Sequence, residues 1–184
     1  MVDVGAGTGH YTAHVLDALP GRVGIALDLS AHAARRAARA HPALASLVVD
    51  VRNPLPVRAG VAAVVLDVFA PRNPAEFARV LAPGGWVVVV TPRPQHLSEL
   101  VSGLGLPSVD ERKEERLAEQ FAEFTPGPRR GISEVLSVDP AIAASLARMG
   151  PGAHHVERSA VEELAACSQD VAVTVAVDVR TYLR

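Results

Sequence analysis

The sequence predicts an α/β fold: a doubly wound, mostly parallel sheet with an antiparallel strand pair at one edge. In the first half, short apolar runs alternate with alanine-rich amphipathic stretches, which is the pattern of βαβ units. The run 61–68 is almost entirely apolar, as expected of a strand buried on both faces. Late in the chain, 132–138 and 171–179 alternate in polarity and predict the edge pair.

Local signals place the individual elements. Gly21 ends a first helix, Ser30 caps a second that Pro42 ends, and Pro74 occupies the first turn of a third. The remaining predicted strands are 1–4, 22–27, 46–49 and 86–91. The predicted helices are 9–19, 30–40, 74–81, 95–104, 141–148 and 156–166, and 111–124 is a charged amphipathic stretch. Proline, glycine and arginine in 125–131 predict a loop.

Composition restricts the class of protein. The 184 residues suffice for one α/β domain spanning 1–184, and no apolar run approaches the roughly 20 residues of a membrane span. No signal peptide is recognisable. Cys167 is the only cysteine, which excludes an internal disulfide or a multi-cysteine zinc site and is consistent with the cytoplasm.

Positive charge is concentrated in two places, although the net charge is −2. Arg35, Arg36 and Arg39 lie on one predicted helix, and Arg129 and Arg130 lie in the predicted loop. Each group has two interpretations: solvated arginines, which the near-neutral charge favours, or a track for nucleic-acid phosphates.

A glycine-rich loop follows the first predicted strand. Gly5, Gly7 and Gly9 occupy every second position, and Asp3 stands two residues before the first of them. A dinucleotide site would instead have the spacing G-x-G-x-x-G. The observed spacing is that of Rossmann-like class I methyltransferases, whose cofactor S-adenosylmethionine has an ammonium group that an acid attracts. The alternative is a glycine-rich turn without a ligand.

Acidic residues also end the second and third strands. Asp28 can accept hydrogen bonds from both ribose hydroxyls of such a cofactor, or it can cap the next helix, although Ser30 is better placed for that. Asp50 can face the adenine amino group or can be a solvated strand-end residue. Ligands of doubly wound sheets bind at the carboxyl ends of the strands. The three acids together therefore favour S-adenosylmethionine.

The fourth strand ends in Asp67, and Phe69 follows two residues later. In this fold that loop faces the methyl group and its acceptor. Phe69 can stack on a base or can cover the cofactor pocket. Asp67 can accept a proton or can hold the loop in place.

Three stretches carry a family resemblance: 67–74 (DVFAPRNP), 79–86 (RVLAPGGW) and 91–100 (TPRPQHLSEL). With 113–120 and 149–151 they resemble the bacterial 23S rRNA guanine-N1 methyltransferases, especially the branch that confers macrolide resistance. The resemblance implies methyl transfer to a guanine in an rRNA hairpin loop. It also implies that Gly9, His10 and the histidine of the third stretch, His96, contact S-adenosylmethionine.

The chain departs from this family in two ways. Members carry an N-terminal zinc-binding domain, which this sequence lacks, so we expect poor methylation of intact rRNA unless that domain is restored. They also tend to have tryptophan at the position of His154, and no third metal ligand accompanies His154 and His155. The alternatives are a truncated, weakly catalytic or non-catalytic cofactor-binding remnant and a small-molecule methyltransferase. The oligomeric state stays open, with a homodimer as one alternative.

Overall fold

The computed structural model describes residues 1–103, 113–149 and 158–184. The predictions for His154 and His155 therefore lie outside the described residues. The described helices and strands, in chain order, are β1 Val2–Val4, α1 His10–Ala18, β2 Gly24–Asp28, α2 Ala31–Ala37, β3 Leu44–Val48, β4 Ala62–Val68, α3 Pro74–Val80, β5 Leu81–Pro92, α4 Ser98–Gly103, α5 Lys113–Gln120, β6 Thr125–Val138, α6 Pro140–Met149, α7 Arg158–Ala165 and β7 Val171–Leu183.

The strands form one mixed sheet in the order β3-β2-β1-β4-β5-β7-β6. The first five strands pair in parallel, and antiparallel strands complete the sheet. The predicted fold class is confirmed. The chain order reverses at β1, which lies between β2 and β4. This reversal is the switch point at which doubly wound sheets bind ligands.

The capping predictions also hold. The Ser30 side chain accepts a hydrogen bond from the Ala33 backbone N–H, and Pro74 occupies the first turn of α3. Asn73 caps α3 by accepting from the Glu76 N–H. Caps of this kind typically contribute about 1 kcal/mol, because they satisfy N–H groups that have no partner within the helix.

The loop predicted at 125–131 is wrong, because these residues begin strand β6. Two prolines, Pro126 and Pro128, are tolerated there because β6 is the last strand of the sheet, and an edge strand does not need every N–H for pairing. The Thr181 hydroxyl donates to the carbonyl of Pro128 at 3.0 Å. The prediction failed because proline and glycine signal a break locally, without information on sheet position.

The chain divides into two compact units. The first comprises 1–91, 116–130 and 179–184, and the second comprises 92–115 and 131–178. The core of the first unit contains the strand side chains Val4, Val65 and Val87 and a stack of aromatic rings. Phe121 stacks on Tyr182 with ring centroids 4.4 Å apart.

The second unit has its own smaller core. Leu100 of α4, Ala143 of α6 and Val173 of β7 are buried together. Its hydrogen bonds include one from the Thr174 backbone N–H to Glu99 at 3.0 Å, and the Thr174 hydroxyl also donates to that carboxylate. These contacts tie α4 to β7 within the unit. In the described residues, no helix is long and apolar enough to cross a membrane.

Candidate functional site

The glycine loop turns the chain from β1 into α1 with left-handed backbone at every glycine. Gly5, Gly7 and Gly9 have φ angles of 65°, 55° and 75°. Residues with a Cβ rarely adopt such angles. A Cβ on Gly9 would meet Ala37 Cβ at 3.0 Å and Leu44 Cδ2 at 3.0 Å, so glycine also permits close packing there.

Gly5 packs directly against the loop that follows β4. A Cβ on Gly5 would lie 2.5 Å from Ala70 Cβ, whereas a Cβ on Gly7 would meet nothing within 4 Å. The first glycine therefore brings two loops together, and the second leaves space above the backbone. A ligand can approach the main chain at Gly7.

Asp28 fixes the conformation of this loop. One carboxylate oxygen accepts the Gly7 backbone N–H at 2.7 Å, and the other accepts the Ser30 N–H at 2.8 Å. A carboxylate oxygen has lone pairs for more than one donor. Asp28 therefore keeps acceptor capacity for ligand hydroxyls, but it has a structural role that the sequence did not indicate.

Asp3 lies beneath the loop and is almost fully buried, with 1% of its surface exposed. It accepts a hydrogen bond from the Thr12 hydroxyl of α1. Burial raises the pKa of Asp3 to about 6; the Thr12 hydrogen bond opposes this rise, and the charge of Asp28 adds to it. Because its surface is covered, Asp3 can influence a ligand at the loop only through its charge.

Asp67 at the end of β4 is also fully buried. Its nearest cation is Arg72, whose Nε lies 3.9 Å from a carboxylate oxygen. Burial raises the pKa of Asp67 to about 7; the charge of Arg72 and the Ala70 N–H oppose the rise, and the charge of Asp3 adds to it. Within the described residues, neither carboxylate oxygen accepts a well-formed hydrogen bond, so the Ala70 contact is electrostatic.

Phe69 stands on the loop above Asp67 with a strained backbone. Its φ angle is 55°, and 47% of its surface is exposed. Its N–H donates to the Val90 carbonyl at 3.2 Å. A bulky residue in this conformation costs roughly 1–3 kcal/mol, and such strain is frequent at functional sites. This strained backbone holds a partly exposed apolar ring in the loop that packs against the glycine loop.

Asp50 is engaged by a neighbouring arginine. Its carboxylate receives hydrogen bonds from the Nε, Nη2 and backbone N–H of Arg52 at 3.0, 2.9 and 3.0 Å. These bonds hold the pKa of Asp50 below its usual value. Asp50 follows β3 by two residues, and its contact with adenine stays a prediction.

His10 begins α1 and lines a surface hollow of about 340 Å³ with Thr8, His14 and Arg36. Its ring centroid lies 4.4 Å from that of His14. The hollow opens directly beyond the glycine loop. His10 is exposed, and its contact with the cofactor stays a prediction.

His96 belongs to the second unit. Its Nδ1 accepts the Ala176 backbone N–H at 3.2 Å, so Nε2 carries the ring proton when the imidazole is neutral. The next residue, Leu97, has a φ angle of 55° and donates its N–H to the Thr174 carbonyl at 2.7 Å. The cofactor contact of His96 likewise stays a prediction.

Sequence reasoning missed two residues of the site, Thr12 and Arg72. Thr12 faces Asp3 because it lies in the first turn of α1, on its buried side. Arg72 follows the FAP segment and is largely covered, with 15% of its side chain exposed. A buried threonine has no sequence signal, whereas an arginine five residues after a strand-end acid is a weak one.

The acids of the first unit fit a cationic cofactor. The charge of Asp28 raises the pKa of Asp3, and the charge of Asp3 raises the pKa of Asp67. A nearby positive charge would relieve this repulsion. S-adenosylmethionine carries an ammonium and a sulfonium and needs an open backbone approach, which Gly7 offers. In the described residues, no group of three or more histidines, cysteines or acids is arranged to hold a metal.

Comparisons with known proteins find methyltransferases among the relatives of this chain. Residues 2–89 match a family model described as a methyltransferase domain. The 23S rRNA (guanine(748)-N(1))-methyltransferase of Streptomyces fradiae is 48% identical over 156 residues, which are 84% of this chain and 56% of that protein. A 23S rRNA (guanine-N(1)-)-methyltransferase of Micromonospora griseorubida is 45% identical over 184 residues, 99% of this chain and 62% of that protein. The chain thus spans about three fifths of the length of these curated relatives.

Solved structures show the same fold at low identity. The YcgJ protein of Bacillus subtilis has a TM-score of 0.68 at 13% identity, covering 100% of this chain and 90% of that one. Geranyl diphosphate C-methyltransferase of Streptomyces coelicolor A3(2), solved with S-adenosyl-L-homocysteine, has a TM-score of 0.56 at 15% identity, covering 100% and 70%.

Fold and site together define a class I methyltransferase domain that uses S-adenosylmethionine. Within this class, the chain is homologous to its relatives from Streptomyces fradiae and Micromonospora griseorubida, at 48% and 45% identity.

Proposed function

We propose that this chain transfers a methyl group from S-adenosylmethionine to N1 of a guanine in a 23S rRNA hairpin loop, the reaction type of macrolide resistance. The observation that carries the proposal is 45–48% identity to two relatives named for guanine-N1 methylation of 23S rRNA. The target would correspond to the guanine numbered 748 in the name of the Streptomyces fradiae relative. Residues 1–184 act as its methyltransferase domain, in the cytoplasm.

The cofactor-binding part rests on residues of the first unit. Gly5, Gly7 and Gly9 admit the cofactor close to the main chain, and Asp28 accepts hydrogen bonds from the ribose hydroxyls. Asp3 attracts the cofactor's positive charge from beneath the loop.

Three further contacts come from the predicted set. The Asp50 carboxylate, which is hydrogen-bonded to Arg52, accepts a hydrogen bond from the adenine amino group. His10 and His96 contact the cofactor as the family resemblance implies. A neutral His96 would donate through Nε2, since its Nδ1 is already an acceptor.

The acceptor side rests on the loop after β4. Phe69 exposes about half of its surface, and stacking on a base contributes about 1–3 kcal/mol. Hairpin loops present unpaired bases that such a ring can receive. When bound, S-adenosylmethionine supplies a methyl group that bonds to guanine N1 as the carbon–sulfur bond breaks.

The proton of N1 must leave during this transfer, and Asp67 is its proposed acceptor. A pKa of about 7 suits a base that works near neutral pH. Because the carboxylate is fully buried, the proton reaches it only through a water molecule or through movement of the loop that carries Phe69. The Arg72 guanidinium at 3.9 Å stabilises the carboxylate before transfer.

The test is methylation of an rRNA hairpin transcript, followed by nuclease digestion and mass spectrometry. The expected product is 1-methylguanosine at one position, absent from a transcript with adenine there and greatly reduced with the Phe69→Ala variant. Methyl groups on another atom would contradict the proposal. The proposal would also be contradicted if the RNA stayed unmodified both with this chain and with a fusion of this chain to the N-terminal segment of the Streptomyces fradiae relative.

A further inference from the structure

Helix α2 presents an exposed arginine face in the first unit. His32, Arg35 and Arg36 of α2 are exposed, and so is Arg39, two residues beyond the end of the helix. The spacing of these residues places them on one side of the helical turn. The opposite side of α2 is buried through Ala34 and Ala37. We define these four basic residues as the α2 basic face.

Among the described residues, no acid forms an ion pair with the arginines of this face. Between Asp28 and Asp50 the sequence contains no carboxylate, and in the part of the chain that the structure describes none of the three arginines forms an ion pair. The one acid that lines the adjoining hollow, Asp17, lies 3.5 Å from His41. A chain with net charge −2 thus concentrates positive charge here.

An aromatic group adjoins the basic face. Arg36 lines the same hollow of about 340 Å³ as His10 and His14 of α1. Beside them, the Tyr11 ring is 49% exposed and meets the His10 ring edge-on at a centroid distance of 5.5 Å. An exposed tyrosine beside a hollow that an exposed arginine lines can bind unpaired nucleotides, because the ring stacks on bases and the guanidinium contacts phosphates.

We propose that the α2 basic face and Tyr11 form an RNA-binding surface, with Arg35, Arg36 and Arg39 on backbone phosphates and Tyr11 against an unpaired base. This inference rests on the proposed rRNA substrate and assigns residues that hold it outside the methyl-transfer site. The basic face adjoins the glycine loop, since Arg36 lines the same hollow as Thr8 of that loop. RNA bound there would continue from the cofactor site.

The test uses the whole chain, a fluorescent hairpin transcript and binding isotherms at several salt concentrations. The R35Q/R36Q/R39Q variant should bind roughly tenfold more weakly at about 0.1 M salt. Its slope of log affinity against log salt should fall by about two, because each phosphate contact contributes about 0.7–0.9 to the slope. Affinity for S-adenosylhomocysteine and Tm should stay unchanged, since the three side chains are exposed.

A matched control removes the same charge elsewhere. Arg22, Arg58 and Arg148 are also exposed, and R22Q/R58Q/R148Q should keep RNA affinity within roughly twofold. Tyr11→Ala should weaken binding at least fivefold, whereas Tyr11→Phe, which keeps the ring, should not. A lowered Tm in the triple variant, with RNA affinity unchanged, would show that the arginines only stabilise the end of α2.

The outcomes separate this inference from the proposed function. If the chain methylates the hairpin while the α2 variant binds RNA as tightly as the wild type, or while the control loses as much affinity, the surface assignment is wrong and the substrate stands. If the wild-type chain neither binds nor methylates the hairpin, even fused to the relative's N-terminal segment, both are wrong. If RNA affinity and the salt slope fall in the α2 variant and not in the control, the surface assignment is supported.

Discussion

Gly5 and Ala70 are in such close contact that no side chain fits between them: a Cβ on Gly5 would lie 2.5 Å from Ala70 Cβ. Gly5 belongs to the glycine loop that follows β1, and Ala70 follows Phe69 in the loop after β4. The two loops therefore hold each other in place.

Gly5→Ala should abolish detectable cofactor binding or weaken it by roughly a hundredfold, because the new methyl group collides with Ala70 and the φ of 65° opposes a Cβ. The matched control is Gly7→Ala, which has a similar φ but open space, and it should lose less. The double variant Gly5→Ala/Ala70→Gly should recover part of the affinity. Calorimetry with S-adenosylhomocysteine measures all three, and equal losses in the two single variants would show that the contact is unimportant.

Asp28→Ala should weaken S-adenosylhomocysteine binding at least tenfold, since a hydrogen bond to a charged group contributes roughly 1.5–3 kcal/mol. The same change releases the Gly7 N–H, so loss of affinity alone does not identify a ribose contact. An analogue lacking the ribose hydroxyls separates the two effects. The wild type should bind it more weakly than the natural ligand, whereas the variant should not discriminate. Equal discrimination by both proteins would exclude the ribose assignment.

Asp67, as the proposed proton acceptor, should make methyl transfer pH-dependent. As its pKa is about 7, the rate should rise with pH through neutrality while the proton acceptor becomes charged. Asp67→Asn should remove this limb of the profile and lower kcat by about 10²–10⁴. The measurement is single-turnover methylation of the hairpin across about pH 5–9, roughly two units on each side of that value. An unchanged pH profile in the Asp67→Asn variant would show that water, and not Asp67, accepts the N1 proton.

The buried acids also link stability to pH. Asp3 and Asp67 have folded-state pKa values of about 6 and about 7, above the ordinary value of 3.8. The folded chain therefore binds more protons than the unfolded chain between about pH 4 and 7, and its stability should fall as pH rises through this window. Urea unfolding of the cofactor-free chain tests this, with Asp67→Asn showing a shallower decline. A rise in stability across that interval would contradict the cause given for both shifts.

Thr12 should matter through Asp3. Thr12→Val removes the hydroxyl that donates to the buried carboxylate and leaves that oxygen without its partner, which costs about 1–3 kcal/mol. Thr12→Ser keeps the donor and serves as the control. Chemical denaturation above pH 7, where Asp3 is charged, should show the larger loss for valine. Equal stabilities of the two variants would mean that solvent replaces the hydroxyl.

The features that could be predicted from the sequence are local. Glycines at every second position after a short strand require left-handed turns, and Gly5, Gly7 and Gly9 all have positive φ angles. The strand β4 was recognisable because a strand buried on both faces must be apolar throughout. The loop at 125–131 was mispredicted because proline and glycine carry no information on whether a strand lies at the edge.

The sequence alone thus determined the sheet, the cofactor loop and the acids at the strand ends, because periodicity and spacing are properties of neighbouring residues. Only the tertiary structure decided what each acid does. Asp3 is covered by Thr12, Asp28 holds Gly7, Asp50 is bound to Arg52, and Asp67 is buried beside Arg72. Burial and charge depend on which distant segments pack together, and the pKa values of Asp3 and Asp67 follow from that packing.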